Sequence, residues 1–314
     1  MVTSHLPLRN RLQNDLLDPI NRLYRYRLAN GLAQKMRPLN ITPNQVTIAH
    51  TCVGVFAAFL VFERHYVLAA FTYELRTILD CLDGVLAREQ NRVTAFGRTL
   101  DTLGDGISFN ALMIAGALRM IQDFPNYKPV MIALGVFIFA FTTAHSGTVY
   151  HLMRRKLGSI LEKHLDTVEI EWREYYEKVQ KKNPLLLAHV GFWIDSVTIR
   201  FVSKEWYKKI RKRRDMPEWK EKALNEALLM NELAAVTRKS EFKRAVRSTA
   251  FVSDDNIFSV ISFCFILQGI FPNQIFPHVH PVLVAFSAGF IYAVMALIIG
   301  LHFLHDFLHG VYRE

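Results

Sequence analysis

Residues 66–120 read YVLAAFTYELRTILDCLDGVLAREQNRVTAFGRTLDTLGDGISFNALMIAGALRM, and the fold turns on this stretch. It contains two apolar runs, each near the ~20 residues that a bilayer-crossing helix needs, joined by a polar turn at 88–96. Asp80 and Asp83 are three residues apart near the end of the first run; Asp101 and Asp105 are four apart near the start of the second. On helices, each spacing puts both carboxylates on one face. The short turn lets the two helices run antiparallel, so that the two acidic faces can meet.

An acidic side chain inside a span costs about 2.5–3.5 kcal/mol, so four exposed to lipid would cost roughly 10 kcal/mol before mutual repulsion. They must therefore share a polar cavity, and four negative charges there need counter-charge. Two divalent cations balance them, and hard oxygen ligands favour Mg²⁺ or Mn²⁺. Two such ions about 4 Å apart can clamp a diphosphate and activate an attacking oxygen. Gly84, Ala87 and Gly97 share this region and leave room for a flat ligand such as a nucleotide base; close helix packing is their other reading. A structural ion network or a proton or ion pathway would also use buried carboxylates. Neither explains the glycines, alanine and arginine at these offsets.

Working outward, hydropathy marks six spans, at 44–62, 66–87, 97–119, 129–151, 255–272 and 281–304. The expected fold is an all-α integral membrane protein. Its segments are 1–43, cytoplasmic and interfacial; 44–152, with four spans and the acidic residues; 153–250, a basic helical insertion; and 251–314, with two further spans. Thr42 and Pro43 read as N-cap and first helical residue of the first span. In residues 8–36, Leu12, Leu16, Ile20 and Leu23 recur at helical spacing, and Arg9, Arg11, Arg22, Arg25 and Arg27 supply charge, as in a helix lying in the headgroup layer.

The net charge is +10, with most of the excess between Arg154 and Arg247. The N-terminus, the 88–96 turn and the 153–250 segment are basic, which places both termini and the acidic cluster on the cytoplasmic side. That membrane is the bacterial inner membrane or, in a eukaryote, the endoplasmic reticulum. No nucleic-acid motif accompanies the charge, so nucleic acid is not an expected partner. Cys52, Cys81 and Cys264 lie singly in apolar runs with no disulfide or metal spacing. No cleaved leader is read at the N-terminus. In the insertion, 184–203 is apolar but holds Asp195 and Arg200, and reads as interfacial or loop-packed rather than as a seventh span.

The constellation resembles the signature of the CDP-alcohol phosphotransferase family, DGxxARx8GxxxDxxxD, with a further aspartate three residues before it. Every fixed position matches, from Asp83, Gly84, Ala87 and Arg88 to Gly97, Asp101 and Asp105. The resemblance extends to the six spans, the N-terminal helix and the stretch from Pro43 and Asn44 to Thr47, about 200 residues in all; the insertion is longer than is typical. It implies that Asp80, Asp83, Asp101 and Asp105 hold two metal ions, with Asp105 also the general base. Gly84, Ala87 and Gly97 would border the cytidine, Arg88 would hold the nucleotide end, and Asn44 and Thr47 would lie near the nucleotide phosphates. It also implies a homodimer.

The implied reaction displaces CMP from a CDP-linked donor, with CDP-diacylglycerol and a small polar alcohol as leading substrates. A soluble CDP-alcohol with diacylglycerol as acceptor is the alternative. An aspartate-rich prenyltransferase and a non-enzymatic membrane scaffold or transporter are more distant ones. Arg154, Arg155, Arg244 and Arg247 read either as positive-inside anchors or as a pocket for an anionic acceptor. His302, His305, Asp306 and His309 are spaced as metal ligands can be, yet an interfacial helix end accounts for them; His278 and His280 read as loop residues.

Overall fold

The computed structural model describes residues 18–92, 94–163, 247–271 and 279–309, and among these the regular structure is helical, without strands. A π-helical turn, Asn21–Arg25, leads into α1, Tyr26–Met36. Then follow α2, Pro43–Phe62; α3, Tyr66–Glu89; α4, Ala95–Asp123; α5, Pro129–Lys163; α6, Asp254–Ile270; and α7, Pro281–His309. Helices thus stand at each of the six expected span positions. Among the described residues, three segments are apolar and long enough to cross a membrane, Pro43–Phe62, Pro129–Arg155 and Pro281–Phe303; Asp255–Ile270 is apolar but shorter. Helices α3 and α4 are less apolar because they carry the acidic motif, and α3 adds Glu74 and Arg76.

The helix ends follow local chemistry. Thr42 caps α2 as expected and forms a capping box: its hydroxyl accepts from the Gln45 amide at 3.4 Å, and the Gln45 side chain accepts from the Thr42 amide at 2.9 Å. Just past the end of α3, Asn91 takes the left-handed conformation at φ 53°, and the Arg92 amide closes back on the Ala87 carbonyl at 2.9 Å. Thr94 then caps α4 by accepting from the Gly97 amide at 3.0 Å. A short turn with both ends satisfied therefore separates the two aspartate pairs. Gln90 ties this turn to the start of α2 by donating to the Ile41 carbonyl at 2.9 Å.

The chain divides into two compact units. Residues 20–144 and 254–294 form the one that holds the acidic motif. In it α2 packs against both α3 and α4, and α6 packs against α3. The core joins Ala57, Val61, Tyr73, Leu112, Phe139, Ile261, Phe265 and Phe286. Large apolar residues also cover its outside, including Val55, Phe56 and Phe59 on α2 and Val130, Leu134 and Phe137 on α5. A surface this apolar suits lipid rather than water. Of the described residues, 145–163, 247–253 and 295–309 belong to the other unit, where Val149, Met153, Leu157, Val252 and Ala296 are buried.

One sequence expectation is corrected in the N-terminal segment. Arg25, expected among the charges facing the headgroups, is 1% exposed. Its guanidinium forks onto Glu74 of α3 with two bonds of 2.6 Å and reaches Ser259 of α6 at 3.0 Å. Tyr24 donates to the same Glu74 carboxylate at 2.5 Å, and burial together with that bond pushes its phenol up to about 12. The partner that draws Arg25 inward lies 49 residues away, beyond any local pattern. Ala29 and Ala33 of α1 pack on Val46, Leu82 and Leu86. The expected Arg9, Arg11, Leu12 and Leu16 lie outside the described residues.

Candidate metal and substrate site

Helix α2 carries Thr47, His50, Thr51 and Gly54 at spacings of three, one and three, a polar and small stripe on an otherwise apolar helix. That stripe faces the motif. The Thr47 hydroxyl donates to Asp83 Oδ2 at 2.6 Å, and also lies 3.1 Å from its own Pro43 carbonyl. Gly104 of α4 lets the stripe approach, because a Cβ there would run into the Thr51 hydroxyl and sit 3.3 Å from His50 Cε1. Gly54 is needed in the same way against Ser108 of α4.

Among the described residues, the side chains able to hold a metal ion together are His50, Asp80, Asp83 and Asp101, with one ligand atom from each inside a 4.8 Å span. His50 Nε2 lies 3.4 Å from Asp83 Oδ2 and 3.8 Å from both Asp80 Oδ1 and Asp101 Oδ1. The histidine is 0% exposed, and neither ring nitrogen has a hydrogen-bond partner; Asp101 Oδ1 is buried without one as well. The Asp101 side chain as a whole is 41% exposed, so the group opens to one side. Three carboxylates converging on buried, unpaired polar atoms fit a divalent cation.

The sequence expectation of an acidic meeting point holds for Asp80, Asp83 and Asp101. Asp105, one turn further along α4, is outside that group and pairs with Arg76 of α3, which is 4% exposed. Asn44 stands opposite Gly97, where a Cβ would lie 3.1 Å from the Asn44 amide oxygen. The open side of Gly84 faces the Arg88 guanidinium, 3.4 Å from where a Cβ would be. Ala87 is half-buried on the same turn.

Arg154, Arg155 and Arg247 belong to the second unit, where Arg154 reaches the Tyr150 hydroxyl at 3.4 Å; Arg244 lies outside the described residues. So do His278, 164–246 of the insertion and the side chains of His305, Asp306 and His309, while His302 is exposed. His280 is not merely a loop residue: its Nε2 is 2.6 Å from Asp123 Oδ2. Sequence reading passed over His50 and Arg76. The i, i+3, i+4, i+7 stripe on α2 was the signal for the first, and the four-residue step from Arg76 to Asp80 for the second.

Residues 40–164 match the family model described as CDP-alcohol phosphatidyltransferase. An archaetidylinositol phosphate synthase of Pyrococcus horikoshii is 32% identical over 87 residues, which cover 28% of this chain and 46% of that one. A phosphatidylinositol phosphate synthase of Corynebacterium glutamicum is 41% identical over 87 residues, 27% of this chain and 39% of the relative. One from Mycobacterium tuberculosis is 32% identical over 108 residues, 34% and 49% respectively. The chain thus spans less than half the length of these relatives. No solved structure gives a significant match.

Proposed function

We propose, from the match of residues 40–164 to the CDP-alcohol phosphatidyltransferase model, that the protein is a metal-dependent membrane phosphotransferase that displaces CMP from CDP-diacylglycerol. The observation that carries the reading is the convergence of Asp80, Asp83 and Asp101 within one 4.8 Å group that opens to one side.

In this reading Asp80, Asp83 and Asp101 hold divalent cations, Mg²⁺ or Mn²⁺, and Asp105 completes the ligand set. When bound, the cations neutralise the diphosphate and favour departure of CMP. Thr47 holds the Asp83 carboxylate in place. Asn44, Gly84, Ala87, Arg88 and Gly97 line the nucleotide end, where Gly97 and Gly84 keep the backbone approachable. Asp105 accepts the proton of the acceptor hydroxyl, and the oxygen attacks the phosphorus next to the lipid. Arg76 orients the Asp105 carboxylate. A phosphodiester remains on the lipid, and CMP leaves with the electron pair of the broken P–O bond.

The relatives' names, each ending in inositol phosphate synthase, favour an acceptor that is a phosphorylated polyol. The sequence offers Arg154, Arg155, Arg244 and Arg247 as candidate cations for that phosphate. Six spans are supported by the outward faces of α3 and α4, where Leu68, Phe71 and Leu75 and then Ile107, Ile114 and Leu118 are exposed at helical spacing. The basic 88–96 turn then sets the site at the cytoplasmic surface, and the working unit is a homodimer.

The test is to incubate purified protein and Mn²⁺ with CDP-diacylglycerol and, separately, inositol, inositol phosphate, glycerol phosphate or serine, identifying the lipid formed and the CMP released. CMP and a phosphorylated inositol lipid with inositol phosphate alone are expected. Product only from a soluble CDP-alcohol and diacylglycerol would reverse the donor assignment, and no CMP from any donor would end the enzymatic reading.

A further inference from the structure

One side chain at the site has no role in the chemistry above. His50 is 0% exposed on α2, and both of its ring nitrogens lack a hydrogen-bond partner. A buried polar group left unmade costs about 1–3 kcal/mol, and a histidine serving only to fill space would be replaced by an apolar residue at no loss. The ring is also aimed: Nε2 faces one oxygen from each of Asp80, Asp83 and Asp101 at 3.8, 3.4 and 3.8 Å.

These separations are too long for hydrogen bonds, which run about 2.7–3.2 Å between nitrogen and oxygen. They suit donors that share an ion. Two atoms each about 2.1 Å from one cation lie roughly 3.0 Å apart at a right angle, roughly 3.4 Å apart at a tetrahedral angle and up to about 4.2 Å apart across the ion, so all three separations fall within the reach of a shared ion. The local packing makes room for the ring. Gly104 removes the side chain that would press on His50 Cε1, and Thr47, one turn earlier on α2, fixes the carboxylate nearest to Nε2.

We propose that His50 is a nitrogen ligand to a cation held by Asp80, Asp83 and Asp101, and that it biases the site toward Mn²⁺ and Co²⁺ over Mg²⁺. The proposal rests on the carboxylates binding a cation at all. Imidazole is a softer donor than carboxylate or water and suits the transition ions, whereas Mg²⁺ prefers an octahedral shell of oxygen and keeps its waters. His50 would therefore set metal preference at a site whose other ligands accept either ion.

The experiment uses the full-length protein in detergent with Mn²⁺ as probe and no substrate. Pulsed EPR of the bound Mn²⁺ should show ¹⁴N modulation in the wild type, replaced by the ¹⁵N pattern when the protein is made with ¹⁵N-histidine. His50→Gln should still bind Mn²⁺ but lose the modulation. Its preference for Mn²⁺ over Mg²⁺ in competition should fall by at least about tenfold, the lower end of what losing an outer-sphere partner costs a metal site. Bound Mn²⁺ without nitrogen modulation, in a site weakened by Asp83→Asn, overturns the role of His50 and leaves the carboxylate site standing. An unchanged Mn²⁺/Mg²⁺ ratio in His50→Gln overturns the selectivity. No Mn²⁺ binding, or binding indifferent to Asp83→Asn, overturns the metal site and His50 with it. If His50→Gln does not fold, the ¹⁵N-histidine comparison in the wild type still decides the ligand.

Discussion

Helix α4 has an aspartate group at each end, and the two are built oppositely. At its C-terminal end Asp123 is surrounded by cationic and imidazole partners. Arg119, one turn back, forks onto it, Arg64 reaches it at 2.5 Å from the α2–α3 turn, and His280 meets it at 2.6 Å. Burial would raise its pKa, but the bonds from Arg119 and His280, with the charge of Arg119 and the bond from Arg64, hold it well below the usual carboxylate range. At the N-terminal end three carboxylates gather around one histidine that none of them bonds. The first group is complete within the protein. The second gathers carboxylates around buried polar atoms that lack hydrogen-bond partners, the pattern from which a cation site is proposed above.

The comparison can be broken from either side. The largest effect is expected from Asp105→Asn: turnover per folded molecule should fall by about 10²–10⁴-fold, the range for loss of a general base, a loss measured apart from any stability lost by parting Asp105 from the buried Arg76. Wild-type turnover there would remove Asp105 from the chemistry. Asp123→Ala should do the reverse. Removing one member of a largely buried pair costs about 3–5 kcal/mol, so the melting temperature should drop while turnover per folded molecule stays the same.

The Asp123 group also predicts a pH dependence. A carboxylate whose folded pKa is depressed contributes stability that is present above its unfolded pKa, about 4, and is lost as pH falls toward the folded value. Melting followed from pH 5 downward should therefore decline more steeply in the wild type than in Asp123→Ala. Parallel curves would show that the group is not the acid-labile element.

A smaller effect is expected from Thr47→Val, which removes the 2.6 Å bond to Asp83; Mn²⁺ affinity should weaken about 10–100-fold without unfolding. The smallest is Arg64→Gly. It gives up an ion pair from a side chain that is 60% exposed, and relieves a left-handed backbone at φ 66°. An exposed pair contributes up to about 1 kcal/mol and the strain costs about 1–2 kcal/mol, so the net change should stay near 1 kcal/mol or less.

What could be read from the chain beforehand was what lies along one helix. The helix positions, the Thr42 cap and the aspartate spacings all depend on residues within a turn or two of each other. Three carboxylates met as the spacing required because α3 and α4 are joined by a short capped turn. What was missed depends on the rotation of one helix against another. His50 precedes Asp80 by 30 residues and joins it only because a small-residue stripe lets α2 settle against α4. Arg25 had the composition of a surface residue and was claimed by Glu74 from another helix. Asp105 stands one turn beyond Asp101, as the motif spaces it, and its partner Arg76 comes from the neighbouring helix α3.

That claim on Arg25 reaches beyond packing. The guanidinium is what neutralises Glu74 midway along α3, and Ser259 of α6 completes the same knot. A shortened protein beginning at Tyr26 would strand an acid in apolar surroundings, at a cost of about 3–5 kcal/mol. The first helix is therefore a rivet rather than a float, and trimming the N-terminus for expression should stop upstream of Asn21.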